Sequence, residues 1–124
     1  MVSEKKLFRA ADKILAALKV RGATLDIFLL PDKDIAALKA RFIKKKTEPN
    51  VLAFSEPRSF PHPETKKRYL GEVYLNRDIL TRTPGRSTPL LLHGILHLLG
   101  YDHKKTRDIA TMEGLEKKIL ETIK

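Results

Sequence analysis

Three of the four histidines of this chain lie within residues 93–103, which read HGILHLLGYDH. His93 and His97 are four positions apart, and this spacing places both imidazoles on one face of an α-helix. Gly100 is the residue type that most readily ends a helix in a left-handed conformation, so the chain can reverse there and return His103 to the same point. Three imidazoles that converge on one ion and leave a fourth position open are typical of zinc sites. The sequence therefore predicts one Zn²⁺ per chain, bound by these three side chains.

The chemistry of such a site depends on the neighbours of the histidines. The spacing H-x3-H-x2-G-x2-H is that of the metzincin zinc peptidases, in which a glutamate directly after the first histidine is the general base. Here Gly94 occupies that position and cannot accept a proton, which argues against a peptidase. Asp102 has two interpretations, as a turn residue or as an acceptor that orients an imidazole N–H, and the sequence does not decide between them.

The charge of the chain indicates what the site acts on. Lys and Arg number 25 against 15 Asp and Glu, which leaves a net charge of +10 and an isoelectric point near 9.9. This balance suits a polyanionic partner such as nucleic acid, although a basic surface can also serve solubility alone. The candidate ligands of RNA phosphates are Arg41, Lys44, Lys45, Lys46, Arg58 and Arg68. The three lysines could equally complement the dipole at the end of a helix.

Apolar periodicity predicts the helices that must position these residues. The first covers residues 3–20, and the second begins with Asp32 or Asp34 as its cap and continues past Phe42 into Lys44-Lys45-Lys46. A single helical turn follows Asn76. The histidines belong to a helix capped by Thr88, with Pro89 in its first turn, and leucines all round this helix place it in the core. The last helix begins near Thr106 or Asp108 and continues to Ile123.

Alternating and apolar runs predict three or four strands. Residues 24–30 form a strand that we expect to be buried largely on both faces, 51–55 a short apolar strand, and 68–75 an alternating one. Gly71 within the third run indicates a bulge or a close approach of another backbone. The Pro-rich residues 56–67 indicate a loop. We therefore expect a single α+β domain over residues 1–124, with helices packed on a small mixed sheet and a metzincin-like zinc helix in the core.

Composition also limits where the protein acts. There is no cysteine, so disulfides and thiolate zinc sites are excluded. The longest apolar run, residues 90–99, is too short to span a bilayer, and the N-terminal segment is charged and amphipathic rather than a signal peptide. We expect a cytoplasmic protein with no membrane partner.

Residues 93–103 match throughout the signature HGxLHLxGYDH of the YbeY endoribonucleases, also called rRNA maturation factors, and the chain resembles this family. Two further segments agree in order: NVLAF at 50–54 is similar to the family's T-D-V-L-S-F, and LGEVYLN at 70–76 to its L-G-D-I-x-I-S. Met112, Glu113 and Glu116 are similar to its final helix. Asn50 and Ala53 replace the usual aspartate and serine.

The resemblance implies a zinc-dependent endoribonuclease that is specific for single strands and acts in small-subunit rRNA maturation and ribosome quality control. Its implied partners are precursor rRNA and the small ribosomal subunit with its proteins. The family's functional arginine aligns near Ile43, so Arg41 or the following lysines would have to replace it. No general base is identifiable, and either zinc hydroxide or the ribose 2′-OH could attack. The alternative is a non-catalytic ribosome-assembly factor that binds RNA and in which the zinc is structural.

Overall fold

A computed structural model describes residues 3–42, 51–55, 68–100 and 106–123. Five α-helices and three strands follow one another along these segments, with a short 3-10 turn at Pro84–Arg86. In chain order the elements are α1 (Glu4–Ala17), β1 (Ala23–Leu30), α2 (Asp32–Phe42), β2 (Val51–Ser55), β3 (Arg68–Asn76), α3 (Arg77–Arg82), α4 (Ser87–Leu98) and α5 (Thr106–Thr122). The predicted α+β class is confirmed.

The three strands form one mixed sheet in the order β1-β3-β2. β3 lies in the centre, parallel to β1 and antiparallel to β2. β3 is the strand that alternation of apolar residues predicted. Val73 and Leu75 lie two positions apart and are both fully buried, so one face of β3 meets the core. Within the described residues the sheet has three strands, the lower of the two numbers that the sequence predicted.

Gly71 interrupts the regular pairing of β3. The register with β1 shifts between Thr24 and Asp26, which pair with Tyr69 and Glu72, so β3 has one extra residue there. Gly71 has φ +136°, and a Cβ built on it would overlap the carbonyl oxygen of Phe54 on β2. Both predictions for this glycine, a bulge and a close backbone approach, are confirmed, and the approaching backbone is that of the neighbouring strand.

The sheet separates two sets of helices. α4 packs against α1, α5, β2 and β3, and the buried side chains of these elements belong to one continuous core. Ile35 of α2 and Leu52 of β2 are also buried but do not belong to that core. Leu52 alternates with Val51, which does belong to it, so the two residues point to opposite faces of the sheet. α2 therefore covers the face away from α4.

The prediction that β1 is buried on both faces was wrong. Leu25 and Ile27 are buried, but Thr24 before them and Asp26 between them are exposed. The physical reason is that β1 lies at the edge of the sheet, where the helix layer covers one face and leaves this part of the other open to solvent.

Two helix starts differ from the prediction. α4 continues directly from the 3-10 turn and begins at Ser87, so Thr88 lies inside the helix and does not cap it. In α2, the carbonyl of Pro31 accepts the first helical hydrogen bonds, so Asp32 and Asp34 are first-turn residues rather than caps. Their negative charges still interact favourably with the positive end of the helix dipole.

The helical turn predicted after Asn76 is confirmed as α3. The Asn76 side chain accepts a hydrogen bond from the amide of Ile79 and so caps this helix. Across the described segments, no helix combines the length and apolar character that a membrane span requires.

Candidate metal centre

The two histidines of α4 face one another on one side of the helix. Nε2 of His97 lies 3.1 Å from Nε2 of His93, and the ring centroids are 4.7 Å apart with an interplanar angle of 68°. Both residues are partly buried on a helix whose other positions are largely inaccessible to solvent. The predicted convergence of the two imidazoles is therefore present in the fold.

The separation of the two Nε2 atoms can be compared with the spacing that two zinc ligands require. Two nitrogens at 2.0–2.1 Å from one tetrahedral ion lie roughly 3.3 Å apart. The observed separation of the two Nε2 atoms, 3.1 Å, is close to that spacing, so these two residues fit the ligand pair of a single ion. Within the part of the chain that the structure describes, no group of three His, Cys, Asp or Glu side chains is arranged so that it could hold a metal ion. His103, the predicted third ligand, lies outside the described residues.

Glu116 of α5 also lies at the site, although the motif of residues 93–103 does not include it. Its Oε1 lies 3.3 Å from Nδ1 of His93, and the side chains of His93 and Glu116 are 14% and 22% exposed. A carboxylate at this position accepts a hydrogen bond from the Nδ1–H group, and the lone pair of Nε2 stays available on the opposite side of the ring. The carboxylate thus selects the imidazole tautomer that can bind a metal.

No local signal in the sequence could have identified this contact, because Glu116 is 23 positions from His93. The similarity of Glu116 to the family's final helix was the one available indication. The packing of α5 against α4 brings the two residues together.

Gly94 has a structural role that its sequence position did not reveal. A Cβ built on Gly94 would lie 2.8 Å from Cγ1 of Val73 and 3.2 Å from Cγ2 of Val51. The position after the first histidine therefore faces the sheet, and α4 approaches the strands more closely than a larger side chain allows. A glutamate at position 94 would have to displace these valines, so the glycine is a packing requirement as well as the absence of a base.

Gly100 follows α4 with φ +103°, and its amide donates to the carbonyl of His97. The predicted positive φ at this helix end is confirmed. The path from there to His103 and Asp102 lies outside the described residues, and so do Lys44, Lys45, Lys46 and Arg58. Their predicted roles stay predictions.

Two of the predicted RNA contacts lie within the described segments. Arg41 is exposed in the last turn of α2, on the far side of the sheet from α4. Arg68 is exposed at the first position of β3, where its amide donates to the carbonyl of Gly22. The structure brings His93 and His97 together but leaves Arg41 in a separate layer, and neither arginine's role is tested by this placement.

Comparisons of the sequence with a family model and with known proteins agree on one family. The family model described as Endoribonuclease YbeY matches residues 2–124. The endoribonuclease YbeY of Chelativorans sp. (strain BNC1) is 36% identical over 109 residues, which cover 82% of this chain and 66% of that protein. That of Dinoroseobacter shibae is 35% identical over 136 residues, with 93% of this chain and 75% of that protein covered.

A third relative, the endoribonuclease YbeY of Nitrobacter hamburgensis, is 37% identical over 110 residues that cover 79% of this chain. The match spans 57% of that protein. The chain therefore spans between 57% and 75% of the length of these three relatives.

Proposed function

This chain belongs to the endoribonuclease YbeY family, and on that premise we propose that it is a zinc-dependent endoribonuclease that cuts single-stranded RNA. We propose further that it acts in the cytoplasm on precursor rRNA of the small ribosomal subunit, in its maturation and quality control. The observation that carries the proposal is the 3.1 Å separation of the two facing Nε2 atoms on α4.

His93, His97 and His103 would hold the ion, one per chain. Zinc, when bound, supplies Lewis acidity toward a phosphoryl oxygen and lowers the pKa of water. Glu116 keeps the Nδ1 proton of His93 in place, so that the opposite nitrogen retains its lone pair. The basic residues, including Arg41, Arg68 and the lysines at 44–46, would neutralise the phosphates of the strand.

Cleavage of single-stranded RNA by purified protein, with zinc measured in the same preparation, tests the proposal. We expect about one zinc per chain in the wild type and loss of both zinc and cleavage in His97→Ala. His62→Ala changes the one histidine outside residues 93–103 and is the matched control. Equal cleavage by the wild type and His97→Ala would indicate a contaminating nuclease and contradict the proposal.

A second candidate is a ribosome-assembly factor that binds RNA without cutting it and uses zinc for stability. The observation in its favour is that Glu116, the carboxylate found against the histidines in the described part of the chain, is already engaged with Nδ1 of His93. It is therefore not placed as a general base. Protein that unfolds on removal of zinc, binds RNA and fails to cut it at high enzyme concentration would favour this candidate.

A further inference from the structure

A basic cavity lies where α1, the start of α4 and the second half of α5 meet. Its volume is about 560 Å³. Four cationic side chains line it, together with a single carboxylate, that of Glu121. The four cations are Lys6, Arg9, Lys13 and Lys117. This excess of positive charge favours an anionic ligand.

The cations are available to such a ligand. Lys6, Arg9, Lys13 and Lys117 are all exposed, and the first three repeat at helical spacing along one face of α1. Within the segments that the structure describes, no ion pair joins any of the four to a carboxylate. Among the described side chains, their charges are therefore not held in ion pairs, and the one carboxylate in the lining, Glu121, leaves an excess of three positive charges.

Part of the cavity lining is apolar. Three residues form this part: Pro89 of α4, Leu120 of α5 and Ile123, which directly follows α5. A binding site lined by both apolar and cationic side chains suits a ligand that carries both phosphates and less polar groups, as ribose and bases do. The volume lies within the range of pockets that hold molecules of nucleotide size.

The position of the cavity connects it to the histidines. Pro89 precedes His93 by four residues, so it lies about 6 Å from it along the axis of α4. On the facing helix, Lys117 directly follows Glu116, which contacts His93. The cavity therefore lies one helical turn from His93 and two from His97, where α1 meets the same two helices. α4 also begins at this cavity, and the positive end of its dipole adds to the attraction for phosphate.

We propose that the basic cavity binds the phosphate backbone of the single-stranded RNA on one side of the metal centre. This inference rests on the proposed function and adds a second contact region, distinct from Arg41, Arg68 and the lysines at 44–46. The cavity then holds the strand after it leaves the histidines and increases affinity for substrates longer than a few nucleotides.

The test compares two triple variants that each remove two lysines and one arginine. The first is Lys6→Gln, Arg9→Gln and Lys13→Gln, which lie at the cavity. The control is Lys19→Gln, Arg21→Gln and Lys33→Gln, which are exposed and do not line it. Each variant carries a net charge of +7, from +10 less three, so overall charge is matched. Circular dichroism and thermal melts would establish that both are folded.

Affinity for a single-stranded oligoribonucleotide is measured by fluorescence anisotropy over a range of salt concentrations. Each phosphate contact on a single strand contributes about 0.7 to the slope of log K against log salt, so three lost contacts reduce the slope by about 2. In the cavity variant we expect that reduction in slope and a higher Kd. In the control we expect smaller changes in both the slope and the Kd. Zinc content should stay the same in both.

Several outcomes would overturn the inference. If the wild type binds and cuts RNA while the two variants have equal slopes, the cavity does not bind the strand, although the proposed function stands. Poly-glutamate serves as a model of an acidic protein partner. If the cavity variant loses affinity for poly-glutamate but keeps the wild-type slope of log K against log salt with RNA, the cavity binds an acidic protein rather than RNA. Wild-type protein that neither binds nor cuts RNA would instead contradict the proposed function itself.

Discussion

Gly94 of α4 packs directly on Val73 of β3, so closely that a Cβ on the glycine would lie 2.8 Å from Cγ1 of the valine. This contact places the helix that carries the histidines against the centre of the sheet. It also explains why the residue after the first histidine is small, independently of any role in proton transfer.

The contact predicts that Gly94→Ala destabilises the protein. Overpacking in a dense core costs about 1–3 kcal/mol, which exceeds the gain of about 1 kcal/mol in helix propensity on replacing glycine with alanine. We therefore expect a lower free energy of unfolding by urea denaturation. Gly114→Ala on α5 is the matched control, because a Cβ there meets nothing within 4 Å, and it should raise stability by about 0.5–1 kcal/mol. Equal effects of the two substitutions would contradict the packing argument.

Glu116→Gln should weaken zinc binding without unfolding the protein. A glutamine keeps the size of the side chain but lacks the charge that orients the imidazole of His93, and loss of such a partner typically lowers metal affinity about 10–100-fold. Competition with a chromophoric chelator measures this change directly. Glu113→Gln, an exposed glutamate of the same helix, is the control and should bind zinc as the wild type does. Identical affinities for the two variants would show that Glu116 has no influence on the site.

Asn76→Ala should cost about 1–2 kcal/mol of unfolding free energy. Asn76 is 2% exposed, its Oδ1 accepts from the amide of Ile79, and its Nδ2 donates to Asp32 at the start of α2. The substitution removes a helix cap and the link between the end of β3 and α2. Ser3→Ala, which removes the exposed cap of α1, offers a comparison with an expected loss nearer 0.5 kcal/mol. A smaller loss for Asn76→Ala than for Ser3→Ala would refute the structural role.

Tyr74 should titrate at unusually high pH. The pKa of its phenol is raised from 10.0 to about 12, first by burial and then by the hydrogen bond to the Glu72 carboxylate and the negative charges of Glu72 and Asp26. The folded state therefore favours the neutral phenol. The resulting stabilisation is fully present below pH 10 and is lost as pH rises to about 12, because the unfolded chain releases its proton first.

Ultraviolet titration of the tyrosines measures this pKa. Tyr74→Phe should lack the step near pH 12 and should lose less stability between pH 10 and 12 than the wild type. The substitution keeps the ring that stacks on Phe28 and meets the edge of Phe54, so it serves as its own packing control. An unchanged titration curve in the variant would contradict the assignment.

Much of the architecture could be predicted because it depends on neighbours in sequence. The four-residue spacing of His93 and His97 determines that both lie on one helix face, since the helical repeat is a local property. The alternation of residues 68–75 identified the central strand, and the side chain of Asn76 and the glycine at position 100 marked helix ends. Each of these features is decided within one turn or one strand of the chain.

Only the tertiary structure decided which helices and strands pack against one another. Periodicity shows that a helix has an apolar face but not which helix or strand covers it, so neither the contact of Glu116 with His93 nor that of Gly94 with Val73 followed from spacing. The exposure of Asp26 depended on the edge position of β1, which only the strand order reveals. The sequence alone thus determined that His93 and His97 share one helix face, whereas the packing of α4 against the sheet and α5 determined which side chains surround them. The reason is that these contacts join residues that are distant in sequence.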